Sequence, residues 1–326
     1  MSVKKIVSVS IGALCVSTGM AFADAGTIRV GWTMPGEESK YWMMKRENEF
    51  PAIGKDYKIE WSQFQGTAPM AQAMVSGALD CATQGVLSLA QATVKGGFEG
   101  YIIAQHMGEA KGSFSTYWAV KEDSPIKTVA DLKGKKVGIN VIGAGNYVYL
   151  ALALKKNGLD PTKDIQLVET GFPGSEAAVR AGHVDAGIFV QPFAVGAEKK
   201  GGLRKILSGT DVLDSSVLIV EVCRKDFVEK NPEAVKAYIK DLTKASKMAK
   251  EDRAQSVAIT SELTKLPVDL LDSYLMTDND MQRPVGAKPD FDAIQKMLDV
   301  YNSAGMVTEK LDASKFRLDG FSAPIE

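Results

Sequence analysis

A strand–turn–helix pattern in residues 124–158 constrains this chain more than any other part of its sequence. Residues 136–140 form a short apolar segment, a glycine-bearing turn follows, and the next residues are apolar at the spacing of a packed helical face. The helix is predicted to end at Asn157 and Gly158, because glycine commonly follows the last helical turn. Such a turn directs backbone N–H groups and the positive end of the helix dipole toward one point. The pattern therefore predicts an anion site that needs no charged side chain.

The first 23 residues have the pattern of a cleavable secretory signal peptide. Lys4 and Lys5 precede an apolar run at residues 6–22, and the small residues of a cleavage site end at Ala23. A membrane anchor is the alternative, but the run is short for spanning a bilayer and contains polar residues. Removing Lys4 and Lys5 changes the formal net charge from −1 to −3, which argues against a nucleic-acid or polybasic membrane role.

The mature chain of about 300 residues is long enough for two lobes, since single hydrophobic cores rarely grow larger. Strands and helices alternate along it, and a helix–glycine–aspartate–strand turn occurs twice, at residues 77–82 and 182–187. This alternation predicts two parallel-sheet lobes of similar architecture. Because no Pro- or Ser-rich linker separates them, the chain is expected to cross between the lobes by strands rather than by a tether.

Two cysteines remain after cleavage, Cys81 and Cys223. They could pair in an oxidising compartment, and that alternative stays open. Because both lie in apolar, strand-like runs, two separate buried thiols are the favoured interpretation.

Ligands of open α/β sheets bind beyond the carboxyl ends of the strands, so the turns at those ends are the candidate site. Five such turns carry backbone amides or short polar or aromatic side chains: residues 33–37, 66–69, 83–85, 143–147 and 191–193. The fourth turn also resembles a dinucleotide-binding glycine motif, with Glu169 at the distance of a ribose contact. Val148 occupies the third glycine position and would obstruct close helix–strand packing, which argues against a nucleotide.

Residue types that support catalysis or metal binding are few. The sequence has two histidines, His106 and His183, no Gly-x-Ser-x-Gly motif and no metal-ligand spacing of His and Cys. His183 is predicted to be a surface residue, and His106 is predicted to make a structural hydrogen bond. Glu37 and Glu38 are adjacent, so their side chains are expected to diverge, and solvation is favoured over contact with a cationic ligand group.

Several blocks of the sequence resemble the periplasmic solute-binding proteins of ABC importers. The blocks are the opening strand at 27–32, the Gly-x-Leu-Asp turn at 77–80, KEDSPI at 121–126, DLKGKKV at 131–137, residues 185–193 with their Pro-Phe ending, and KDF with NPEAV within 225–235. In order and spacing, the mature chain is similar to the nitrate, sulfonate and bicarbonate branch, which includes taurine and aliphatic sulfonate binders. The resemblance implies an α/β, two-lobed type II periplasmic binding fold, each lobe a mostly parallel sheet flanked by helices. The implied lobes are residues 27–113 with 225–326, and residues 114–224.

The resemblance also implies hinge closure around a small solute and delivery to an ABC permease in the inner membrane. It further implies a monomeric periplasmic protein without a cofactor, a nucleic-acid partner or enzymatic activity. The ligand-contact residues expected from the turns and the resemblance are Trp32, Met34, Pro35, Thr67, Thr83, Gln84, Gly85, Gly143, Gly145, Asn146, Tyr147, Gln191, Pro192 and Phe193.

Two departures from the family pattern bear on the ligand. Sulfonate binders of this branch usually have a hydroxyl donor and His-Tyr before the helix, where this chain has Gly145, Asn146 and Tyr147. The family's carboxylate before Pro-Phe is replaced here by neutral Gln191, which disfavours an amino-sulfonate such as taurine.

The predicted ligand is therefore a small organic anion, either a sulfonate or a carboxylate. Trp32, Met34, Tyr147 and Phe193 could enclose an apolar or aromatic tail. A neutral thiamine-precursor-like heterocycle is the alternative ligand. The same fold family also includes pyrimidine-forming proteins that use the polypeptide as reagent, and such an enzyme would need a histidine and a cysteine in the cleft.

Overall fold

The computed structural model of the protein describes residues 26–34, 36–142 and 144–320, so the predicted signal peptide lies outside the described residues. Within these ranges the chain forms ten β-strands and eleven α-helices. The strands are β1 (Gly26–Trp32), β2 (Tyr57–Gln63), β3 (Cys81–Gly85), β4 (Gly100–Ala110), β5 (Tyr117–Lys121), β6 (Lys136–Ile139), β7 (Gln166–Glu169), β8 (Gly187–Phe189), β9 (Leu203–Ser208) and β10 (Ser215–Arg224). The helices are α1 (Glu38–Lys45), α2 (Thr67–Val75), α3 (Val86–Gly96), α4 (Tyr147–Lys156), α5 (Gly171–Ala181), α6 (Phe193–Lys200), α7 (Lys225–Lys230), α8 (Pro232–Glu251), α9 (Arg253–Thr264), α10 (Val268–Asp272) and α11 (Phe291–Ser303).

The first sheet has five strands in the order β2-β1-β3-β10-β4. β1 pairs in parallel with β2 and β3, whereas β10 pairs antiparallel with β3 and β4. β10 is the strand that arrives from the second sheet, which explains why it runs against its neighbours.

The second sheet repeats this order with its own strands. β5 pairs antiparallel with β8 and β9, β6 pairs in parallel with β7, and a parallel bridge between Val137 and Ala186 joins the two sets. The resulting order is β7-β6-β8-β5-β9, in which β5 is the strand that arrives from the first sheet. The predicted α/β fold with two sheet-centred lobes is confirmed, and every antiparallel strand pair of the two sheets involves one of the crossing strands.

The two Gly-x-x-Asp turns have the same role in the two sheets. Both glycines have a φ of 76°, in the left-handed region that glycine adopts without steric cost. Asp80 accepts the backbone N–H of Arg29 in β1 at 3.0 Å, and Asp185 accepts the backbone N–H of Lys136 in β6 at 2.9 Å. Asp80 therefore ties the start of β3 to β1, and Asp185 ties the start of β8 to β6.

Two short connections join the sheets, residues 111–116 between β4 and β5 and residues 209–214 between β9 and β10. The backbone N–H of Lys111 donates to the Asp214 carbonyl at 3.1 Å, and that of Gly209 donates to the Thr116 carbonyl at 2.7 Å. The predicted crossing by strands is confirmed, and the two connections are hydrogen-bonded to each other.

Glu109, buried near the end of β4, anchors both connections. It accepts the hydroxyls of Ser115 and Thr116, each at 2.6 Å. The Ser115 hydroxyl in turn accepts the backbone N–H of Thr210 in the second connection at 3.1 Å.

Local chemistry and strand pairing set two element boundaries. α5 begins at Gly171 and has Pro173 in its first turn, where a missing N–H is tolerated. β4 extends to Ala110, because its pairing with β10 continues as far as Ser215.

Cys81 and Cys223 form a disulfide that joins β3 to β10. The two residues are direct partners in the antiparallel register, and their Cα atoms are 4.0 Å apart. The interpretation as two separate thiols is therefore wrong. The register of strands that are distant in sequence brings the two side chains to one face of the sheet.

Helices cover both faces of the first sheet. Side chains of α1, α8 and α9 pack on the face that carries the disulfide, and those of α2, α3 and α11 pack on the other face. None of the helices in the described part of the chain has both the length and the apolar character of a membrane span.

Candidate ligand-binding site

The turns at the strand ends of the two sheets approach each other at Gly145, just before α4. A methyl group at Gly145 would lie 2.9 Å from the hydroxyl of Tyr301 in α11 and 3.6 Å from Cβ of Leu87 in α3. Because α3 and α11 pack on the first sheet and α4 belongs to the second, this contact joins the two lobes. Glycine permits the close approach since it has no side chain.

An apolar cluster, here called the cleft cluster, lies between the two sheets. Its buried members are Met107 of β4, Val190 after β8, and Met281. Its partly buried members are Phe114, Phe172, Phe193, Leu218 and Ile219. Both sheets contribute to it, so it forms an apolar wall between the lobes, and the predicted contact Phe193 belongs to this wall.

Two helices of the first sheet begin side by side next to this wall. Thr67 is the first residue of α2, Ser88 is in the first turn of α3, and their hydroxyl oxygens are 2.7 Å apart. Neither helix has a side-chain cap, so the positive ends of both dipoles are available to a further group. A methyl group at Gly85 would lie 3.3 Å from the Thr67 hydroxyl and 3.9 Å from the carbonyl of Leu218 in the cleft cluster. The hydroxyl pair is therefore close to the apolar wall.

The first turn of α4 offers fewer free amides than the sequence predicts. The N–H groups of residues 147–149 donate to the carbonyls three residues earlier, at 3.1–3.2 Å. The Tyr147 hydroxyl is also used, because it donates to the Pro161 carbonyl at 3.1 Å. Asn146 has a buried side-chain oxygen without a hydrogen-bond partner among the described residues. Gly143, the first glycine of the predicted anion site, lies outside the described residues.

Two predicted contacts lie in the interior of the first lobe. Trp32 is 9% exposed and packs edge-on against Tyr41, with the ring centres 5.9 Å apart. Thr83 is fully buried, and its hydroxyl accepts a hydrogen bond from Lys40 Nζ at 2.5 Å. The side chains of Trp32 and Thr83 are therefore occupied by contacts in the interior of the first lobe.

The remaining predicted contacts differ in exposure. Met34 is 40% exposed in the turn after β1, whereas the adjacent Pro35 lies outside the described residues. Gln84 is 1% exposed, and its side-chain oxygen has no hydrogen-bond partner among the described residues. Gln191 and Pro192 are buried and joined by a cis peptide bond. The structure therefore brings Thr67, Gly85 and Phe193 to the wall between the lobes, while Trp32 and Thr83 are interior.

A network of buried polar side chains supports the opening turn, residues 33–37, from below. This buried network consists of Glu37, Lys40, His106, Glu221 and Tyr238. Lys40 Nζ is 2.7 Å from Glu221 and 3.3 Å from Glu37. Glu221 is also 3.0 Å from His106 Nε2 and accepts the Tyr238 hydroxyl at 3.0 Å. Glu37 accepts the backbone N–H of Thr33 at 3.0 Å, which links the network to the opening turn.

The prediction that Glu37 and Glu38 are solvated is wrong. They are 1% and 4% exposed, because the first turn of α1 is covered by the first sheet and by the segment that contains Arg283. The side chains do diverge as predicted, since Glu37 faces Lys40 and Glu38 pairs with Arg283 at 2.7 Å. The structural hydrogen bond predicted for His106 and the exposed position predicted for His183 are both confirmed.

The two carboxyl groups beside Lys40 have opposite pKa shifts. Burial raises the pKa of Glu37, although Lys40 and His106 oppose the rise. Burial also acts to raise the pKa of Glu221, but Lys40 and His106 outweigh it and hold that pKa below its usual value. Glu221 is therefore the charged partner of Lys40, and Glu37 is the carboxyl that takes up a proton first as the pH falls.

Replacing Glu37 by glutamine is expected to change the pH dependence of stability. A carboxyl with a raised pKa in the folded state contributes stability below its unfolded pKa, and this contribution is lost as the pH rises through the folded pKa. The unfolding free energy of the wild type, relative to Glu37→Gln, should therefore fall as the pH is raised above about 4.3, the ordinary pKa of glutamate. Urea unfolding at several pH values measures this difference. The exposed Glu251 provides a control, Glu251→Gln, and a pH-independent difference for Glu37→Gln would contradict the assignment.

Comparison with known proteins identifies relatives over most of the chain. The model of the NMT1-like family matches residues 23–262. A putative aliphatic sulfonates-binding protein of Escherichia coli K12 is 29% identical over 259 residues, which are 78% of this chain and 77% of that protein. The taurine-binding periplasmic protein of the same organism is 30% identical over 222 residues, which are 67% of this chain and 65% of that protein. In fold, the chain is similar to the crystal structure of the periplasmic aliphatic sulphonate binding protein from Escherichia coli, with a TM-score of 0.73, 25% identity, and coverage of 90% of this chain and 97% of that one.

These relatives are binding proteins, which agrees with the prediction that the chain is not an enzyme. The structure adds a chemical reason against the polypeptide-as-reagent alternative. Cys81 and Cys223 are joined to each other, and His106 is buried against Glu221. Among the described residues, no group of three His, Cys, Asp or Glu side chains is arranged to hold a metal ion.

Proposed function

The chain belongs to the NMT1-like family, and from that membership together with the geometry of the cleft we propose that it is an extracytoplasmic binding protein for a small organic anion, serving an ABC importer. The proposed ligand is a sulfonate or a carboxylate with a short organic body. The names of its relatives support this class, since they are described as binding aliphatic sulfonates and taurine.

The observation that carries the proposal is the pairing of an anion-favouring surface with an apolar wall. The uncapped starts of α2 and α3, with the hydroxyls of Thr67 and Ser88, supply donors and positive dipole ends for an oxyanion. The cleft cluster, which includes Phe193 and Leu218, supplies the adjacent surface for an organic body. A neutral heterocycle would use the apolar wall but would leave these donors without a charged partner.

Because β10 pairs with β3 and β4 of the first sheet, we place the second lobe boundary in residues 209–214 rather than after residue 224. The moving parts in this proposal are the two lobes, one built on the first sheet, including β10, and one built on the second sheet. They are joined by the two connections that Glu109 anchors, which makes these connections the proposed hinge. A ligand that contacts both lobes binds the closed form more tightly than the open form, and this difference in affinity drives closure.

The proposed location is the periplasm, with an ABC permease in the inner membrane as partner and a monomer as the working form. The pattern of a signal peptide supports export, and the disulfide between Cys81 and Cys223 suits an oxidising compartment. The periplasmic location of relatives adds to this support.

Thermal-shift measurements with a panel of small solutes test the ligand class. Purified protein is first unfolded and refolded to remove retained solute, and native mass spectrometry of the starting material gives the mass of anything that copurifies. The panel contains ethanesulfonate, butanesulfonate, taurine, butanoate and a hydroxymethylpyrimidine. A true ligand at 100 times its Kd should stabilise the protein by about 2.7 kcal/mol. Stabilisation by the pyrimidine alone would contradict the organic-anion assignment.

Thr67→Val is expected to weaken binding of the stabilising anion roughly tenfold, because it removes one hydroxyl donor while keeping the side-chain shape. Ser76→Ala, at the C-terminal end of α2, is the matched control and should bind as the wild type does. Isothermal titration measures both. An unchanged affinity in Thr67→Val would remove the start of α2 from the proposed anion site.

A further inference from the structure

A segment after α10, residues 276–283 and here called the strap, touches parts of the molecule that belong to both proposed lobes. Its Gln282 exchanges two backbone hydrogen bonds with Gly108 of β4, at 2.8 and 3.0 Å. Its Asp280 carbonyl accepts the backbone N–H of Phe114 in the first hinge connection at 3.0 Å. Arg283 donates to the Gly36 carbonyl of the opening turn at 3.3 Å. The strap therefore connects the opening turn, the first sheet and the hinge.

The strap is held in shape by a buried aspartate. Asp280 is 2% exposed and accepts the backbone N–H groups of Met276 and Met281, both at 2.8 Å. Its carboxylate also pairs with Arg283 at 3.0 Å. These bonds fix a compact loop without regular secondary structure, so the carbonyl of Asn279 has a defined position.

Gln191 follows β8 of the second sheet, and both polar atoms of its side-chain amide form hydrogen bonds. Its Nε2 donates to the Asn279 carbonyl of the strap at 3.0 Å. Its Oε1 accepts the backbone N–H of Val195 in the first turn of α6 at 3.2 Å. The residue is 5% exposed. Its amide is thus committed to a bond between the second lobe and the strap rather than left free for a solute.

We propose that Gln191 is a positioning residue that stabilises the closed arrangement of the lobes through its bond to the strap. The inference rests on the lobe closure proposed above. In this proposal, rotation of the second lobe away from the strap breaks the bond from Gln191 to Asn279, whereas the bond from Val195 to Gln191 lies within the second lobe and persists. The first bond therefore contributes to the closed form alone, and it raises the apparent affinity for any solute that needs that form.

Gln191→Glu tests the proposal with little disturbance of the fold. The new carboxylate keeps the acceptor for the Val195 N–H at the start of α6, where negative charge is favourable. It removes the donor and places a carboxylate against the Asn279 carbonyl, which disfavours closure. Asn279→Ala is the matched control, because the bond uses the backbone carbonyl of Asn279 and not its side chain.

Small-angle X-ray scattering of refolded protein without added solute gives the first readout. We expect a larger radius of gyration for Gln191→Glu than for the wild type and an unchanged value for Asn279→Ala, with the same far-UV circular dichroism in all three. A compact Gln191→Glu variant would overturn the proposal. This readout needs no solute, so it can fail or succeed independently of the proposed ligand class.

Titration with ethanesulfonate, if that probe stabilises the wild type, gives the second readout. Loss of one buried hydrogen bond from the closed form should weaken binding by roughly 3- to 10-fold. A Gln191→Glu variant that remains compact without solute and nevertheless binds more weakly would show that Gln191 contacts the solute directly. That result would also overturn the proposed role of Gln191 in stabilising the closed arrangement.

Discussion

Removing the Cys81–Cys223 disulfide is expected to lower the free energy of unfolding by about 2–5 kcal/mol. The cross-link spans 142 residues of sequence, and that span includes the whole second sheet. Breaking it releases the unfolded chain from a long closed loop, so the unfolded state gains conformational entropy. The double variant Cys81→Ala/Cys223→Ala leaves no unpaired buried thiol. Urea unfolding of the wild type and the double variant at 25 °C measures the difference in their free energies of unfolding.

The reductant dependence of unfolding is the control for this prediction. Wild-type protein should lose stability when unfolded in the presence of a thiol reductant, whereas the double variant should be indifferent to it. Equal unfolding midpoints for the wild type and the double variant in the absence of reductant would contradict a stabilising cross-link between β3 and β10.

Local sequence patterns predict the parts of this fold that depend on neighbouring residues. The spacing of apolar residues after β6 predicts α4 and its end near Asn157, because one helical face must be buried. The repeated Gly-x-x-Asp turn predicts two similar sheets. In each turn the glycine ends a helix, and the aspartate bonds to a neighbouring strand, β1 in the first sheet and β6 in the second. The helical face and the glycine turn depend on residues within a few positions of the pattern, whereas the two aspartates bond to strands 51 and 49 residues earlier in the chain.

Contacts between distant elements are not predicted, because they depend on strand register and on helix placement. Cys81 and Cys223 look like separate apolar residues until β3 and β10 are aligned.

One signal for the buried network is present in the sequence. Glu221 is the only charged residue between Ser215 and Cys223, and a buried carboxylate in an apolar strand requires a partner. The sequence does not identify that partner as Lys40, whose neighbours Tyr41 and Trp42 are apolar in character.

The candidate site shows the same difference between features that local sequence patterns predict and features that depend on the folded structure. The prediction that turns at strand ends come together is supported for Thr67, Gly85 and Phe193, because topology alone brings those ends to one edge. Which polar groups remain free in those turns depends on hydrogen bonds that only the folded geometry reveals. The amides at the start of α4 bond within their own turn, and the amide of Gln191 bonds to the strap.

Replacing Lys40 by methionine is expected to destabilise the protein by about 3–5 kcal/mol near neutral pH. The substitution leaves Glu221 buried without its nearest cation, and it also removes the donor to the Gly31 carbonyl and the Thr83 hydroxyl. A second ion pair of the same helix provides the control. Lys45 pairs with Glu262 at 2.7 Å near the surface, with side chains 31% and 59% exposed, so Lys45→Met should cost about 1 kcal/mol or less.

The pH dependence of this loss separates an unpaired charge from a simple packing defect. In the wild type, the pKa of Glu221 is held below its usual value, although burial opposes this, so the stabilising contribution is present above the unfolded pKa and is lost as the pH falls through the folded pKa. Without Lys40, burial should instead raise the pKa of Glu221, and the variant should regain stability relative to the wild type as acid protonates the carboxyl. The difference in unfolding free energy between the wild type and Lys40→Met should therefore become smaller as the pH falls from 8 toward about 4.

A compensating second substitution completes this test. Lys40→Met/Glu221→Gln removes the unpaired charge together with its partner, so the double variant should be more stable than Lys40→Met alone at pH 8, with the gain diminishing in acid. A cavity or packing defect at position 40 would give the opposite result, namely a loss that is independent of pH and is not relieved by Glu221→Gln. Because Glu37 bonds to Thr33 in the opening turn, solute affinity measured on the same variants would show whether the buried charges also position that turn.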